Sequence, residues 1–423
     1  MPAEPATRTP LAHAHHPASP AVPMFLAFAF AYFLSALVRA VTATLAPVFS
    51  AELGLAAGQL GLLAGAYFLG FAMVQLPLGS ALDRLGPRRV LLGFLGLAVL
   101  GCLAFASAHS LVQLLAARWL IGLGLGACLM APLTCFRRHL APAAQLRANS
   151  WMLMTGSLGM LASTLPVQAL LPLLGWRGLF AGVSALLLLS MVGVRWLTPA
   201  DTTAPAGAAP GPAQPWWTGY GQVFAHPVFR RLAPLGGVAY GGMIAMQSLW
   251  IGPWLTQVAG QSPQQAAQGL FLVNLAMLLA FFGWGVVMPR LIRAGWAGER
   301  LVAAAWPLSV GLLAWILWLG ADAGAWHWAL WCVSTSVVSL SQPAVGQAFA
   351  LAQAGRALSA YNLLIFAGVF VIQWGVGLMI DAAVALGLSR TEAFRGAFAV
   401  FWLACLLSFL WLNWQQRAEH PAA

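Results

Sequence analysis

The chain has 423 residues, of which 61% are hydrophobic and 7% charged, and its mean hydropathy is +0.83. Because about a quarter of the residues in a soluble domain are charged, this composition excludes a soluble protein and indicates an integral membrane protein. All 20 basic residues are arginine, and with 9 acids they give a formal charge of +11, which in a soluble protein would suggest binding to nucleic acid.

Twelve apolar runs of about 20 residues, the length of helix that crosses a hydrocarbon core of about 30 Å, follow one another along the chain. Because a backbone in lipid must satisfy its own hydrogen bonds, and the runs are too long and continuous for barrel strands, each is predicted to be a helix. We number them as spans 1 to 12, near residues 24–48, 58–80, 89–108, 110–134, 149–171, 178–198, 232–258, 266–289, 301–320, 327–352, 359–383 and 394–416.

The arginines predict the orientation of these spans. If the N-terminus is cytoplasmic, fifteen arginines lie inside and only Arg177, Arg390 and Arg395 lie outside. This is the positive-inside pattern, and it explains the charge of the chain without nucleic acid. We therefore expect a multi-pass protein of a bacterial-type inner (plasma) membrane with both termini cytoplasmic. The two remaining arginines, Arg39 and Arg118, lie inside the membrane.

A stretch rich in alanine, proline and glycine separates span 6 from span 7 and has no means of forming a core, so we interpret it as a linker. It divides the spans into six plus six, which is typical of a duplicated unit. The predicted organisation is a disordered tail at 1–23, an N-terminal half at 24–198, a cytoplasmic linker at 199–231, a C-terminal half at 232–416 and a tail at 417–423.

The loop after span 2 reads GSALDRLGPRRV from Gly79. It resembles the signature loop of the major facilitator superfamily, and the likeness extends to the span count and the linker position. The resemblance implies an all-α membrane protein with twelve transmembrane helices in two pseudo-symmetric halves, working by alternating access. It also implies a conformational latch between the halves, with the candidate residues Gly79, Asp83, Arg84, Gly86 and Arg88. The alternative is that the arginines of this loop are only topology signals.

In span 1, Tyr32, Ser35, Arg39 and Thr42 are spaced 3, 4 and 3 residues apart and form one polar stripe. An isolated charge at the centre of a membrane helix costs about 2.5–3.5 kcal/mol and faces a protein interior or a water cavity. Arg39 is therefore predicted to line a cavity. The alternative is a structural arginine bonded to backbone carbonyls. The spacing from Arg39 to Pro47 resembles the first span of the family's organic-anion symporters, although their proton-coupling aspartate is replaced here by Val38.

Span 4 carries the second membrane arginine. Arg118, Gly122 and Gly126 follow at i, i+4 and i+8, so the two glycines allow close helix packing below a buried guanidinium. The pattern resembles the family's span-4 motif of an arginine followed by glycines, which is associated with ion coupling.

The second half provides polar residues but no acids at mid-membrane. The family's cavity is lined by spans 1, 4, 7 and 10, so these residues are candidate substrate ligands, with helix packing as the alternative. The candidate substrate-binding set is Arg39, Arg118, Tyr32, Thr42, Tyr240, Gln247, Gln342, Gln373 and Asn274. Two arginines without an acid create a positive potential that favours anions.

The sequence therefore predicts a secondary transporter, not an enzyme, for a small organic or inorganic anion, acting as a monomer in the lipid bilayer without nucleic acid, metal or cofactor. A co-transported proton, on the substrate or on Asp381, stays open. The alternative within the transporters is efflux of amphipathic or drug-like compounds. It is favoured by aromatic residues on span 7 and opposed by span 5, whose TGSLGMLASTLP lacks the Gly-Pro pair of the family's drug antiporters. A transport-inactive membrane sensor or a membrane-embedded enzyme is the remote alternative.

Overall fold

The computed structural model describes residues 21–201, 217, 219–296 and 298–419. Within these ranges the chain is almost entirely helical and contains no strand. All twelve predicted runs are helical, so the all-α prediction is confirmed. Most of the helices begin before or end after the predicted runs, whereas the run 327–352 continues past the helix Ser341–Gln347 into the start of the next helix.

The first half begins with three uninterrupted helices, Ala21–Leu53, Ala57–Leu85 and Pro87–Ala106. Span 4 consists of two helices, Leu111–Leu125 and Met130–His139, separated by a four-residue turn.

Span 5 comprises Pro142–Ala162 and the first part of the helix Leu165–Leu197, whose remainder is span 6. The chain reverses between the two spans at Gly175, whose φ of +61° lies in the left-handed region that glycine adopts without a steric penalty.

The second half contains two strongly interrupted spans. The start of span 7 is the helix Pro227–Pro234, after which π-helical and α-helical turns alternate up to Val258. Span 10 consists of the helices Ala325–Thr335 and Ser341–Gln347, joined by the 3₁₀ segment Ser336–Leu340. The other four spans are the long helices Pro263–Arg293, Gly298–Leu319, Leu351–Ala385 and Arg390–Glu419.

Within the described ranges, nine helices are by themselves long and apolar enough to cross a membrane. Spans 7 and 10 are missing from these nine because their helices are interrupted, and the helix Pro142–Ala162 of span 5 is missing as well. The described ranges thus contain nine such helices and not twelve because the predicted spans are divided among separate helices.

The predicted linker is only partly described, since residues 202–216 and 218 lie outside the described ranges, as do residues 1–20 and 420–423 of the predicted tails 1–23 and 417–423. Its two ends are attached to the helices. Asp201 accepts hydrogen bonds at the first turn of span 3, and a short helix, Tyr220–Ala225, follows at the other end. The Tyr220 hydroxyl donates to the carbonyl of Leu76 in span 2 at 3.2 Å, so this short helix contacts the N-terminal half.

We call the side with the loops after spans 2, 4 and 8 the arginine-rich side, and the other the arginine-poor side. At the arginine-poor ends the halves are in close contact, because span 2 packs on span 11 through Gly58 and Gly61, and Gly252 of span 7 packs on Ala43 of span 1. Gly79 lies eighteen residues, or about five helical turns, beyond Gly61 and points in the same direction. A Cβ there would meet no atom within 4 Å. The close backbone contact that Gly58 and Gly61 make with span 11 is therefore not repeated at Gly79.

Candidate functional site

Arg39 lies half-buried on span 1, between spans of both halves. Its guanidinium is 4.0 Å from the sulfur of Met160 in span 5, and the side chains of Tyr67 in span 2 and Tyr240 in span 7 lie in its vicinity. In the described part of the chain, no carboxylate lies within ion-pair distance of it. Arg39 is thus a partly accessible cation whose neighbours are polar or polarisable but uncharged.

Arg118 has a different environment, because only 1% of its surface is exposed. Its Nη2 donates to the carbonyl of Val38, at 3.1 Å, and to the hydroxyl of Thr42, while its Cζ lies 5.2 Å from the ring centroid of Tyr67. A structural arginine bonded to backbone carbonyls was the alternative interpretation of Arg39. The structure shows such a backbone bond at Arg118. In this conformation neither Arg118 nor Thr42 presents surface to the cavity, and together they fasten span 4 to span 1.

Tyr67 is a site residue that the sequence analysis missed. It is completely buried, its ring lies against Arg118, and its hydroxyl is near Ser35 and both membrane arginines. A single tyrosine in an apolar helix has no spacing signal that would have identified it. Its contact with the Arg118 guanidinium could be found only from the packing of spans 2 and 4.

The other predicted tyrosines flank Arg39. Tyr32 is 8% exposed, and a Cβ on Gly156 of span 5 would lie 2.6 Å from its ring, so this glycine makes room for the aromatic side chain. Tyr240 is half-buried on span 7, in the vicinity of both Tyr32 and Arg39. The structure thus groups Arg39, Tyr32 and Tyr240 at the contact between the two halves.

The predicted amides of the second half are paired with one another. Gln247 donates to the side-chain oxygen of Asn274 at 2.9 Å, and Gln342 donates to Asn362 at 2.6 Å. Gln373, which is fully buried, donates to the hydroxyl of Ser248 at 3.0 Å, while its Oε1 has no hydrogen-bond partner. These pairs connect spans 7, 8, 10 and 11.

The tryptophans of span 7 pack inside the C-terminal half. Trp250 and Trp254 are fully buried, and the Trp254 indole donates to the carbonyl of Ala323 at 2.9 Å. Their rings pack against those of Phe394 and Phe398 in span 12. These tryptophans hold the C-terminal half together.

The signature loop makes contacts within the first half. Asp83 lies 3.8 Å from the guanidinium of Arg138 at the end of span 4. The backbone N–H groups of Arg88 and Arg89 donate to the Asp201 carboxylate at 3.1 and 2.8 Å, and a Cβ on Gly86 would overlap that carboxylate. The Arg88 side chain donates to the carbonyl of Arg195, and Arg84 is exposed. These contacts join the loop to span 4, to the end of span 6 and to the start of the linker.

The span-4 glycines bring three helices together. A Cβ on Gly122 would overlap the carbonyl oxygen of Tyr67, and one on Gly126 would overlap the side chain of Val74, both in span 2. Gly124, on the other face, meets Ala98 of span 3. Spans 2, 3 and 4 can approach this closely only because these positions lack a side chain.

A crevice of about 590 Å³ on the arginine-poor side is separate from the Arg39 cluster. It is lined mainly by apolar residues of spans 1 and 5, and the oxygens of Glu52, at its edge, bind the Arg177 guanidinium at 2.5 Å and the Trp176 indole at 2.7 Å. No group of three or more potential metal ligands occurs in the described ranges.

Comparison with proteins of known sequence identifies transporters of organic acids. The chain is 31% identical to the 4-hydroxybenzoate transporter PcaK of Pseudomonas aeruginosa over 147 residues, which cover 35% of this chain and 33% of the relative. The corresponding protein of Pseudomonas putida is 32% identical over 168 residues, covering 39% and 37%. A probable L-galactonate transporter of Escherichia coli K12 is 29% identical over 138 residues, covering 32% and 30%. The matches thus span only about a third of each relative.

Solved structures resemble the chain over nearly its whole length. A bacterial homologue of the human lysosomal transporter Spinster, in an inward-facing and unoccupied conformation, superposes with a TM-score of 0.73 at 16% identity, covering 94% of this chain and 97% of the homologue. The D-xylose–proton symporter gives a TM-score of 0.71 at 13% identity, covering 93% and 96%. At these identities the comparison establishes the fold alone, which is that of twelve-helix transporters.

The sequence also matches the family model described as Major Facilitator Superfamily over residues 28–373. This match covers most of the chain and includes spans 1 to 10, the signature loop, both membrane arginines and most of span 11. The fold agrees with this match, and so do the three relatives, each of which is named as a transporter. The chain is therefore a member of the Major Facilitator Superfamily, a multi-pass membrane transporter and not an enzyme.

Proposed function

We propose that the protein is a secondary active transporter for a small organic acid, whose carboxylate binds to the guanidinium of Arg39. The observation that carries the proposal is the state of Arg39, a partly exposed cation at the contact between the halves without an acidic partner in the described ranges. A carboxylate accepts a two-pronged hydrogen bond from a guanidinium, and such charge-assisted pairs are among the strong ones. The substrate would supply the missing negative charge.

Two tyrosines favour an organic acid over an inorganic anion. Tyr240 lies in the vicinity of Arg39, and Tyr32 lies two turns from Arg39 on span 1, so we propose that the site offers aromatic contact and hydroxyl groups near the cation. The substrates named for the relatives, 4-hydroxybenzoate and L-galactonate, both combine one carboxylate with hydroxyl groups. We therefore propose a hydroxylated monocarboxylate.

Arg118 and Thr42 are proposed to act indirectly. Their mutual hydrogen bond and the bond to the Val38 carbonyl fix the turn of span 1 that carries Arg39. Gln247, Asn274 and Gln373 are proposed to lie close to the bound substrate, with the unpaired Oε1 of Gln373 as an available acceptor. Gln342 belongs to the same group of polar residues in the second half.

Export of amphipathic compounds loses its main support. The span-7 tryptophans that would have received such compounds are completely buried within the C-terminal half. We do not propose this function.

Transport is proposed to occur by alternating access, with residues 24–198 and 232–416 moving as two bodies joined by the linker 199–231. The protein would act as a monomer in a bacterial-type inner membrane, with the arginine-rich side and both termini, including the tails 1–23 and 417–423, in the cytoplasm. The signature-loop residues Gly79, Asp83, Arg84, Gly86 and Arg88 are proposed to meet the second half when the arginine-rich side closes. Proton coupling, on the substrate or on Asp381, is part of the same hypothesis.

The experiment is a binding and uptake assay with Arg39→Gln. Purified protein is titrated with 4-hydroxybenzoate, L-galactonate and benzoate, and uptake of the same labelled acids is measured in proteoliposomes. Loss of a hydrogen bond to a charged group costs about 1.5–3 kcal/mol, so Arg39→Gln should weaken Kd by about 10- to 150-fold.

The matched control is Arg137→Gln, because Arg137 is exposed at the end of span 4, away from the cavity. It removes the same charge and should leave affinity within about twofold of the original protein. Unchanged binding of every acid that proves to be a substrate in Arg39→Gln, or an equal loss in both variants, would refute the proposed role of Arg39.

A further inference from the structure

Asp381 joins the two halves at the arginine-poor side. It lies near the end of span 11, in the C-terminal half, and its carboxylate faces the first turn of span 2, in the N-terminal half. Its Oδ1 accepts a hydrogen bond from the backbone N–H of Ala57 at 2.9 Å, and its Oδ2 accepts one from Gly58 at 2.7 Å. Both carboxylate oxygens are therefore committed to one helix end across the boundary between the halves.

The electrostatics of this contact are favourable for an ionised carboxylate. The first N–H groups of a helix have no partner within the helix, and the helix dipole places positive potential there. Span 2 is a 29-residue helix, and Ala56, before its first turn, provides no side-chain cap to Ala57 or Gly58. Asp381 supplies the missing acceptors from the opposite half.

Glycines make the contact possible. A Cβ on Gly58 would lie 2.8 Å from the Asp381 Oδ2, and one on Gly377, a turn earlier on span 11, would overlap the carbonyl of Ala57. Gly61 meets the backbone of Gln373 in the same way. The two helices thus meet backbone to backbone, with the carboxylate at the end of the contact.

Four other charged side chains near this end of the molecule are engaged elsewhere. Glu52, at the end of span 1, pairs with Arg177, while on span 12 Glu392 binds Ser389 and Arg395 donates to the carbonyl of Leu317. The three ion pairs of the described ranges, Asp83–Arg138, Glu52–Arg177 and Arg231–Glu299, each lie within one half. These ion pairs do not hold the halves together at the arginine-poor side.

We propose that Asp381 is the gating residue of the arginine-poor side, and that its contact with span 2 holds this side shut. Opening the arginine-poor side separates span 2 from span 11 and must break both hydrogen bonds. The carboxylate therefore biases the equilibrium between the two open conformations. The inference rests on alternating access but not on the identity of the substrate or on Arg39.

The test measures the distance between the halves at the arginine-poor side by electron–electron resonance. Spin labels are attached to cysteines introduced at Leu173, at the end of span 5, and Leu386, after span 11, which are 79% and 84% exposed. All five native cysteines are buried, so labelling is directed to the introduced ones. Full-length protein in lipid nanodiscs is measured without substrate, as the parent, as Asp381→Asn and as Asp322→Asn.

Asp381→Asn keeps the size of the side chain but loses the charge and one of the two acceptors. From the usual strength of helix-end interactions, the ratio of separated to closed molecules should rise roughly tenfold. Asp322→Asn is the matched control, because Asp322 is exposed at the same side, after span 9, and should reproduce the parent distribution.

If the distance distribution of Asp381→Asn matches that of the parent, the proposal is overturned. This holds even if both proteins are wholly closed, because the arginine-poor side would then stay closed without the Asp381 contact. An equal shift in both variants would overturn it as well. The melting temperature of each labelled variant is measured in parallel, so that a misfolded sample is recognised. A failure of Arg39 to bind acids would leave this experiment unaffected, since no substrate is added.

Discussion

Replacing Gly122 by alanine tests whether the spacing between spans 2 and 4 controls the arginine site. A Cβ at this position would overlap the carbonyl oxygen of Tyr67, so span 2 must move away by roughly 1 Å to restore normal contact. Forcing an extra methyl group into a packed interface costs about 1–3 kcal/mol. Alanine recovers about 0.5–1 kcal/mol by restricting the unfolded chain, which leaves a net loss of up to about 2.5 kcal/mol.

The same movement affects the contact between Tyr67 and Arg118. Cζ of Arg118 lies 5.2 Å from the centroid of the tyrosine ring, close to the limit of about 6 Å for an effective cation–π interaction. A displacement of the ring by roughly 1 Å brings the pair to that limit. We therefore expect Gly122→Ala to lower both the thermal stability and the affinity for the substrate acid.

The assay is thermal unfolding of the purified protein, followed by acid binding at a temperature where both variants are folded. Gly93→Ala is the control, since Gly93 lies within the helix of span 3 and a Cβ there would meet no atom within 4 Å. Gly93→Ala restricts the unfolded chain in the same way but creates no overlap. It should therefore melt at or above the melting temperature of the parent. If Gly122→Ala melts as high as Gly93→Ala, the overlap inferred from the structure is refuted.

Two further predictions concern the carboxylates at the ends of helices. Asp201→Asn should lower stability by about 1 kcal/mol, because the asparagine cannot accept both N–H groups at the start of span 3, and it should melt below an Asp322→Asn control. Glu299→Gln should destabilise the protein by about 1–3 kcal/mol, because its partner Arg231 is only 9% exposed, whereas Glu52→Gln should cost at most about 1 kcal/mol, because both side chains of that ion pair are about 40% exposed. Equal melting temperatures for the two glutamate variants would contradict this argument.

The sequence was sufficient for the helices because hydropathy depends on local composition. Each predicted run is helical, and the signature loop identified the family. The interruptions of spans 7 and 10 could not be predicted in the same way. The choice between α, π and 3₁₀ hydrogen bonding there depends on packing against other spans, and the residues of Met246–Trp250 or Ser336–Leu340 do not by themselves specify it.

The site was predictable only in part. A charge in a membrane helix is conspicuous, so Arg39 and Arg118 stood out, but their different burial follows from the neighbouring spans and not from spacing. Tyr67 and Asp201 carry no sequence signal, because Tyr67 looks like an ordinary aromatic residue and Asp201 like part of a polar linker. Both acquire their contacts from residues distant in the sequence, at Arg118 and at Arg88.

The 3₁₀ segment of span 10 gives this helix an adjustable length. A 3₁₀-helix rises about 2.0 Å per residue and an α-helix about 1.5 Å, so converting the five residues Ser336–Leu340 into α-helix would shorten the span by about 2.5 Å. The conversion exchanges one set of backbone hydrogen bonds for another and exposes no unpaired group to lipid. A span 10 that was α-helical throughout would therefore hold its two ends about 2.5 Å closer together than they are in this structure.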